Sequence, residues 1–109
     1  PKALGGRDFG NNPEQLFATG YAACFLSAMK AVVASQKSQF VKVPEGTKVT
    51  AEVAIGPLEN QGFGLAITLK IEMPNVDKAD AEALVTAAHR VCPYSNATRG
   101  NIDIQLLVI

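Results

Sequence analysis

The stretch Asn12-Pro13-Glu14-Gln15-Leu16-Phe17-Ala18-Thr19-Gly20-Tyr21-Ala22-Ala23-Cys24-Phe25 decides how the rest of the chain is read. Asn12 is a natural N-cap, Pro13 carries the φ that suits the first helical position, and Gln15 stands where a side chain can reach back to the cap. A helix therefore starts here and should run to about Ser35. Phe17, Tyr21, Cys24 and Ala28 share one face, while Ala23 and Leu26 lie behind it. A helix apolar nearly all round belongs inside a domain.

Upstream of this helix, Gly5, Gly6, Gly10, Asn11 and Asn12 mark the first dozen residues as an irregular glycine-rich loop. Downstream, two alternating runs, Lys48 to Ile55 and Leu65 to Met73, flank a turn-rich segment from Gly56 to Gly64 and read as an antiparallel hairpin. Its outward positions include Thr50, Glu52, Thr68, Lys70 and Glu72. Asp77, with Asp80 three residues on, caps a second helix that aligns Ala81, Leu84, Val85, Ala88 and Cys92, and Pro93 bars its continuation. A polar loop, Tyr94 to Asn101, then leads to a last run, Ile102 to Ile109, whose apolar end suits a covered strand. Two helices and three strands make an α+β unit with a small sheet. Further strands are expected either ahead of Pro1 or from a partner.

With 109 residues, 48% of them hydrophobic and 18% charged, the chain reads as one globular domain spanning 1–109. A core of that size needs neither disulfide stapling nor a structural metal. Ten Lys plus Arg balance ten Asp plus Glu, so nucleic acid and anionic membrane surfaces are not expected partners. The longest apolar run, Tyr21 to Leu26, is broken by Ser27 and closed by Lys30, short of the ~20 residues of a spanning helix. No leader precedes Pro1, which suggests a cytoplasmic protein with a trimmed start.

Cys24 and Cys92 are the two cysteines, each on the inward face of its own helix. They could be small core hydrophobes, a structural disulfide or a redox pair. A metal site is disfavoured, because the two cysteines and His89 lack the spacing of zinc ligands. A redox pair needs an approach of the two Cα atoms to within about 7 Å, closer than helices usually pack. Gly20, Ala28, Ala31, Ala81 and Ala88 are small enough to permit it. Glu14 lies ten residues before Cys24, ~15 Å along the axis, and cannot touch that sulfur within its own helix. Either it is a solvated first-turn carboxylate, or it acts across a dimer interface. His89 is read as a packed histidine, and Asn96-Ala97-Thr98 as a chance glycosylation sequon.

The first stretch, with Val91-Cys92-Pro93-Tyr94-Ser95-Asn96-Ala97-Thr98-Arg99-Gly100-Asn101, resembles the organic hydroperoxide resistance (Ohr) branch of the OsmC/Ohr family. Pro1 to Gly6, Gly62-Phe63-Gly64-Leu65 and the last strand match in order. The resemblance implies an OsmC/Ohr-type fold, an antiparallel sheet with two buried central helices in an intertwined homodimer, lacking its N-terminal strands in this chain. It implies a thiol peroxidase acting on organic hydroperoxides, with Cys24 peroxidatic, Cys92 resolving and Glu14 holding an activating arginine. That arginine belongs upstream of the part matching Pro1 to Gly6. Arg7 aligns with the later glycine loop, and Arg99 is expected to order the loop after Cys92. No cofactor is implied, and the reductant would be a dithiol or a lipoyl protein. The competing readings are a catalytically silent module that binds small hydrophobes and a stoichiometric thiol redox sensor.

Overall fold

A computed structural model of the protein describes residues 12–109. The glycine-rich opening, Arg7 and the Pro1 to Gly6 match lie outside the described residues. In chain order the elements are α1 (Pro13–Ser35), β1 (Lys48–Pro57), β2 (Phe63–Glu72), α2 (Lys78–Val91), α3 (Pro93–Thr98) and β3 (Asp103–Val108).

α1 begins as its sequence dictates. The Asn12 side-chain oxygen accepts a 2.8 Å hydrogen bond from the Gln15 backbone N–H, satisfying one of the donors that a helix start leaves unpaired. The helix buries a single stripe, Tyr21, Phe25, Ala28, Met29 and Val32, spaced to face the core. Phe17 and Cys24 border that stripe and are half-buried, whereas Leu16 and Ala23 are exposed. The expected all-round burial is thus not realised among the described residues, because the sheet and α2 cover one side. By length and composition α1 is nevertheless apolar enough to cross a membrane, which counting only Tyr21 to Leu26 overlooked.

The antiparallel hairpin forms as expected and extends two residues further at its turn, with Gly56 opposite Gly64 and Pro57 opposite Phe63. β3 then pairs with β2 in parallel, so the order is β1-β2-β3 and the sheet is mixed rather than antiparallel throughout. The cause is the connection: α2 and α3 cross the sheet before β3 begins, and a crossover of that length returns the chain in the same direction. Pairing stacks apolar side chains in rows across the three strands, Val49–Ile71–Val108, Ala51–Leu69–Leu106 and Val53–Ile67–Ile104. Ile67, Leu69 and Ile71 on the central strand are buried, and the rows belong to one core with α1 and α2. β3 is less covered than its apolar run suggested, since Leu107 and Ile109 are exposed.

α2 buries Ala81, Leu84, Val85 and Ala88 as expected. Asp77 occupies its N-cap position but makes no side-chain cap bond. The expected loop after Pro93 is largely the short helix α3. A proline has no N–H to lose in a first helical turn, so the residue that stops α2 also starts α3. Thr98 Oγ1 donates to the Tyr94 carbonyl at 2.8 Å within this turn. Gly100, at φ +83°, then reverses the chain toward β3, a conformation other residues adopt only with strain.

Candidate functional site

Cys92 lies at the corner between α2 and α3. Its N–H donates to the Ala88 carbonyl at 2.9 Å, and its carbonyl accepts from the Asn96 N–H at 3.0 Å. The corner presents its side chain to α1, where Cys24 Sγ lies 3.3 Å from Cys92 Sγ. Both cysteines are free thiols. Cys92 is fully buried and Cys24 only partly, so a molecule arriving from solvent meets Cys24 first.

Burial is the largest influence on Cys24 and disfavours its thiolate. A hydrogen bond from the Tyr94 backbone N–H acts the other way, while the neighbouring Cys92 side chain, through its hydrogen bond and the repulsion between two adjacent sulfurs, adds to the upward push. The result is a thiol held above its ordinary range. No Lys or Arg of the described residues enters that balance.

Three aromatic rings, from α1 and α3, pack together near the cysteines, with Tyr21 fully buried and Tyr94 exposed at its edge. Tyr94 stacks on Phe17 at a centroid distance of 5.8 Å and meets the edge of Tyr21 at 5.8 Å. Phe17 and Tyr21 complete the cluster at 5.9 Å. Gly20 makes room for it, because a Cβ there would stand 3.2 Å from the Tyr94 hydroxyl.

A polar chain links α1, α2 and α3 near the cysteines. The buried Ser95 Oγ lies 2.7 Å from the Tyr21 hydroxyl and 2.8 Å from His89 Nδ1. Burial, and secondly the positive charge of Arg99, hold His89 below the usual imidazole range. Arg99 donates to the His89 carbonyl and, at 2.7 Å, to Asn96 Oδ1, bracing α3 against the end of α2. That matches its expected ordering role. His89 is packed, as read, but its partner could not be found from sequence, because Ser95 looked like one polar residue in a loop.

Glu14 is not brought to the sulfurs within this chain. It lines a separate cavity of about 290 Å³ with Asn12, Gln15, Ala18, Ala51, Val53 and Ile55. Its Oε2 is buried and has no hydrogen-bond partner among the described residues. A buried carboxylate oxygen in that condition is costly and calls for a donor.

Two apposed thiols beside an aromatic cluster can be compared with known proteins. The model of the OsmC-like protein family matches residues 5–107. This chain belongs to the OsmC family. Within it the chain falls in the organic hydroperoxide resistance branch. It is 53% identical over 107 residues to the organic hydroperoxide resistance protein of Xanthomonas axonopodis pv. citri, covering 97% of this chain and 72% of that one. A crystal structure of such a protein from Elizabethkingia anophelis superimposes with a TM-score of 0.85 at 50% identity, over 99% of this chain and 75% of the other. Bacillus subtilis OhrB gives 0.83 at 40% identity, over 98% and 75%. The OsmC-type α+β fold expected from the two motif stretches is the fold of these relatives.

Proposed function

We propose that this OsmC-family chain is a peroxidase that reduces organic hydroperoxides to alcohols. The observation that carries the reading is the 3.3 Å contact between a partly exposed Cys24 sulfur and a buried Cys92 sulfur. The Cys24 thiolate attacks the outer peroxide oxygen, the O–O bond breaks, and the departing alkoxide takes a proton to become the alcohol. Cys24 is left as a sulfenic acid. The Cys92 thiol then displaces the hydroxyl: an S–S bond forms, the S–O bond breaks and water leaves. A dithiol, free or carried as a lipoyl group on a protein, supplies the two electrons that reopen the disulfide. The partly exposed rings of Phe17 and Tyr94 favour substrates with an apolar body over hydrogen peroxide.

The raised thiol of Cys24 needs a cation, and Glu14 needs a donor. One arginine held by the Glu14 carboxylate meets both needs if it comes from outside residues 12–109 and reaches a sulfur across a homodimer interface. The reading also puts the protein in the cytoplasm, where reductants return such a pair to thiols.

The test is consumption of cumene hydroperoxide with dithiothreitol as reductant. Repeated turnover that Cys24→Ser abolishes supports the enzyme. Slow consumption unchanged by Cys24→Ser supports a silent hydrophobe-binding module. Oxidation that stops after one equivalent with reductant present supports a sensor.

A further inference from the structure

The chain Tyr21–Ser95–His89 has a regular relation to the two sulfurs. Tyr21 precedes Cys24 by three residues, His89 precedes Cys92 by three, and Ser95 follows Cys92 by three. Three residues is close to one helical turn, so each polar group stands one turn from a cysteine. Ser95 Oγ is fully buried and closes the contact from both sides, at 2.7 Å to Tyr21 on α1 and 2.8 Å to His89 on α2. A hydroxyl suits this place because it donates once and accepts as well: the Tyr21 O–H donates to Ser95, and the Ser95 O–H donates to a neutral His89 Nδ1, or the whole chain runs in reverse. Replacing it by an apolar group leaves the Tyr21 hydroxyl unpaired in the core and takes this partner from the partly buried His89 Nδ1.

We infer that Ser95, through Tyr21 and His89, is a positioning residue for the second redox step, holding the α2–α3 corner so that Cys92 Sγ faces Cys24. The inference rests on the peroxidase reading for its place in the reaction. The hydroxyl of Ser95 is engaged by Tyr21 and His89 rather than by a sulfur. Its contribution is orientation, which governs how fast Cys92 displaces the hydroxyl from oxidised Cys24 and how firmly the disulfide holds.

Two measurements on the full chain test this. In rapid mixing with cumene hydroperoxide, wild-type protein is expected to lose both thiols with little sulfenic acid trapped by dimedone. Ser95→Ala is expected to oxidise Cys24 at the wild-type rate, yet to accumulate the dimedone adduct and close the disulfide about tenfold or more slowly. The second measurement needs no peroxide. In a glutathione redox buffer, the Cys24–Cys92 disulfide of Ser95→Ala should be about tenfold easier to reduce than that of wild type. Tyr21→Phe removes one hydrogen bond at constant ring volume, and should shift both readouts the same way by less, which keeps the test open if Ser95→Ala folds poorly. Wild-type equilibrium and closure rates in these variants, accompanied only by a lower melting temperature, would overturn the inference. Wild-type protein that never oxidises with hydroperoxide refutes the peroxidase reading instead, and the glutathione arm still decides on Ser95.

Discussion

The ring of Tyr94 lies over Gly20, its hydroxyl 3.2 Å and its Cε2 3.4 Å from where a Cβ would stand. Glycine in a helix interior ordinarily costs about 0.5–1 kcal/mol relative to alanine. Here the missing methyl is occupied by the neighbour's ring. Gly20→Ala is therefore expected to bring no gain in urea stability, because the Tyr94 ring must shift by a few tenths of an ångström against Phe17 and Tyr21 to admit the methyl. In a Tyr94→Ala background the same change should recover about 0.5–1 kcal/mol. Equal gains in both backgrounds would show that the ring yields without cost.

Closing the disulfide requires the sulfurs to move from 3.3 Å to about 2.05 Å, a small shift for two side chains already in contact. The bond would span 68 positions of the sequence. By the chain-entropy argument such a loop stabilises the fold by about 4 kcal/mol. Oxidised protein should accordingly show a higher urea midpoint than reduced protein, and Cys92→Ser should show no difference between the two conditions. An oxidised midpoint at or below the reduced one would mean that the bond distorts the α2–α3 corner.

His89 gives stability a pH dependence of definite sign. Its imidazole is held below the ordinary range in the folded chain, so between that lowered pKa and about 6.5 the unfolded state binds more protons. The related stability is complete above about pH 6.5 and declines as pH falls through the folded value. Melting temperatures measured from about pH 7 down to about pH 5 should drop more steeply for wild type than for His89→Gln. Parallel profiles would exclude His89 as the cause.

Leu69 and Lys70 are consecutive on β2 and point to opposite faces. Leu69 is fully buried in the middle row of the sheet, while Lys70 makes an exposed 3.1 Å ion pair with Glu52. Leu69→Ala should cost about 2–5 kcal/mol in chemical denaturation, and Lys70→Ala less than about 1 kcal/mol. Comparable losses would indicate that the sheet's outer face is covered by something other than water.

How much of this was legible depended on whether the signal was local. The start of α1, the hairpin and the inward face of α2 each follow from a cap, a period or a turn residue within a few positions. The parallel docking of β3 is set by the crossover through α2 and α3, and Pro93 acted as a start signal as well as a stop. For the site, the two cysteines were visible as a candidate pair, and small residues made their approach plausible. The Tyr21–Ser95–His89 chain was not visible, since 74 positions separate Tyr21 from Ser95 and no spacing rule links a lone serine to a tyrosine. The unpaired Glu14 oxygen likewise depends on the cavity that β1 closes against α1.

The turn between β1 and β2, exposed from Pro57 to Gln61, divides the chain so that one sulfur lies on each side. A protease that nicks this turn leaves an amino-terminal fragment carrying Cys24 and a carboxy-terminal fragment carrying Cys92. Under oxidising conditions the two pieces would migrate as one band and separate only when a reductant is added. Cleavage followed by a non-reducing gel thus turns a bond between two atoms into a visible change in molecular size.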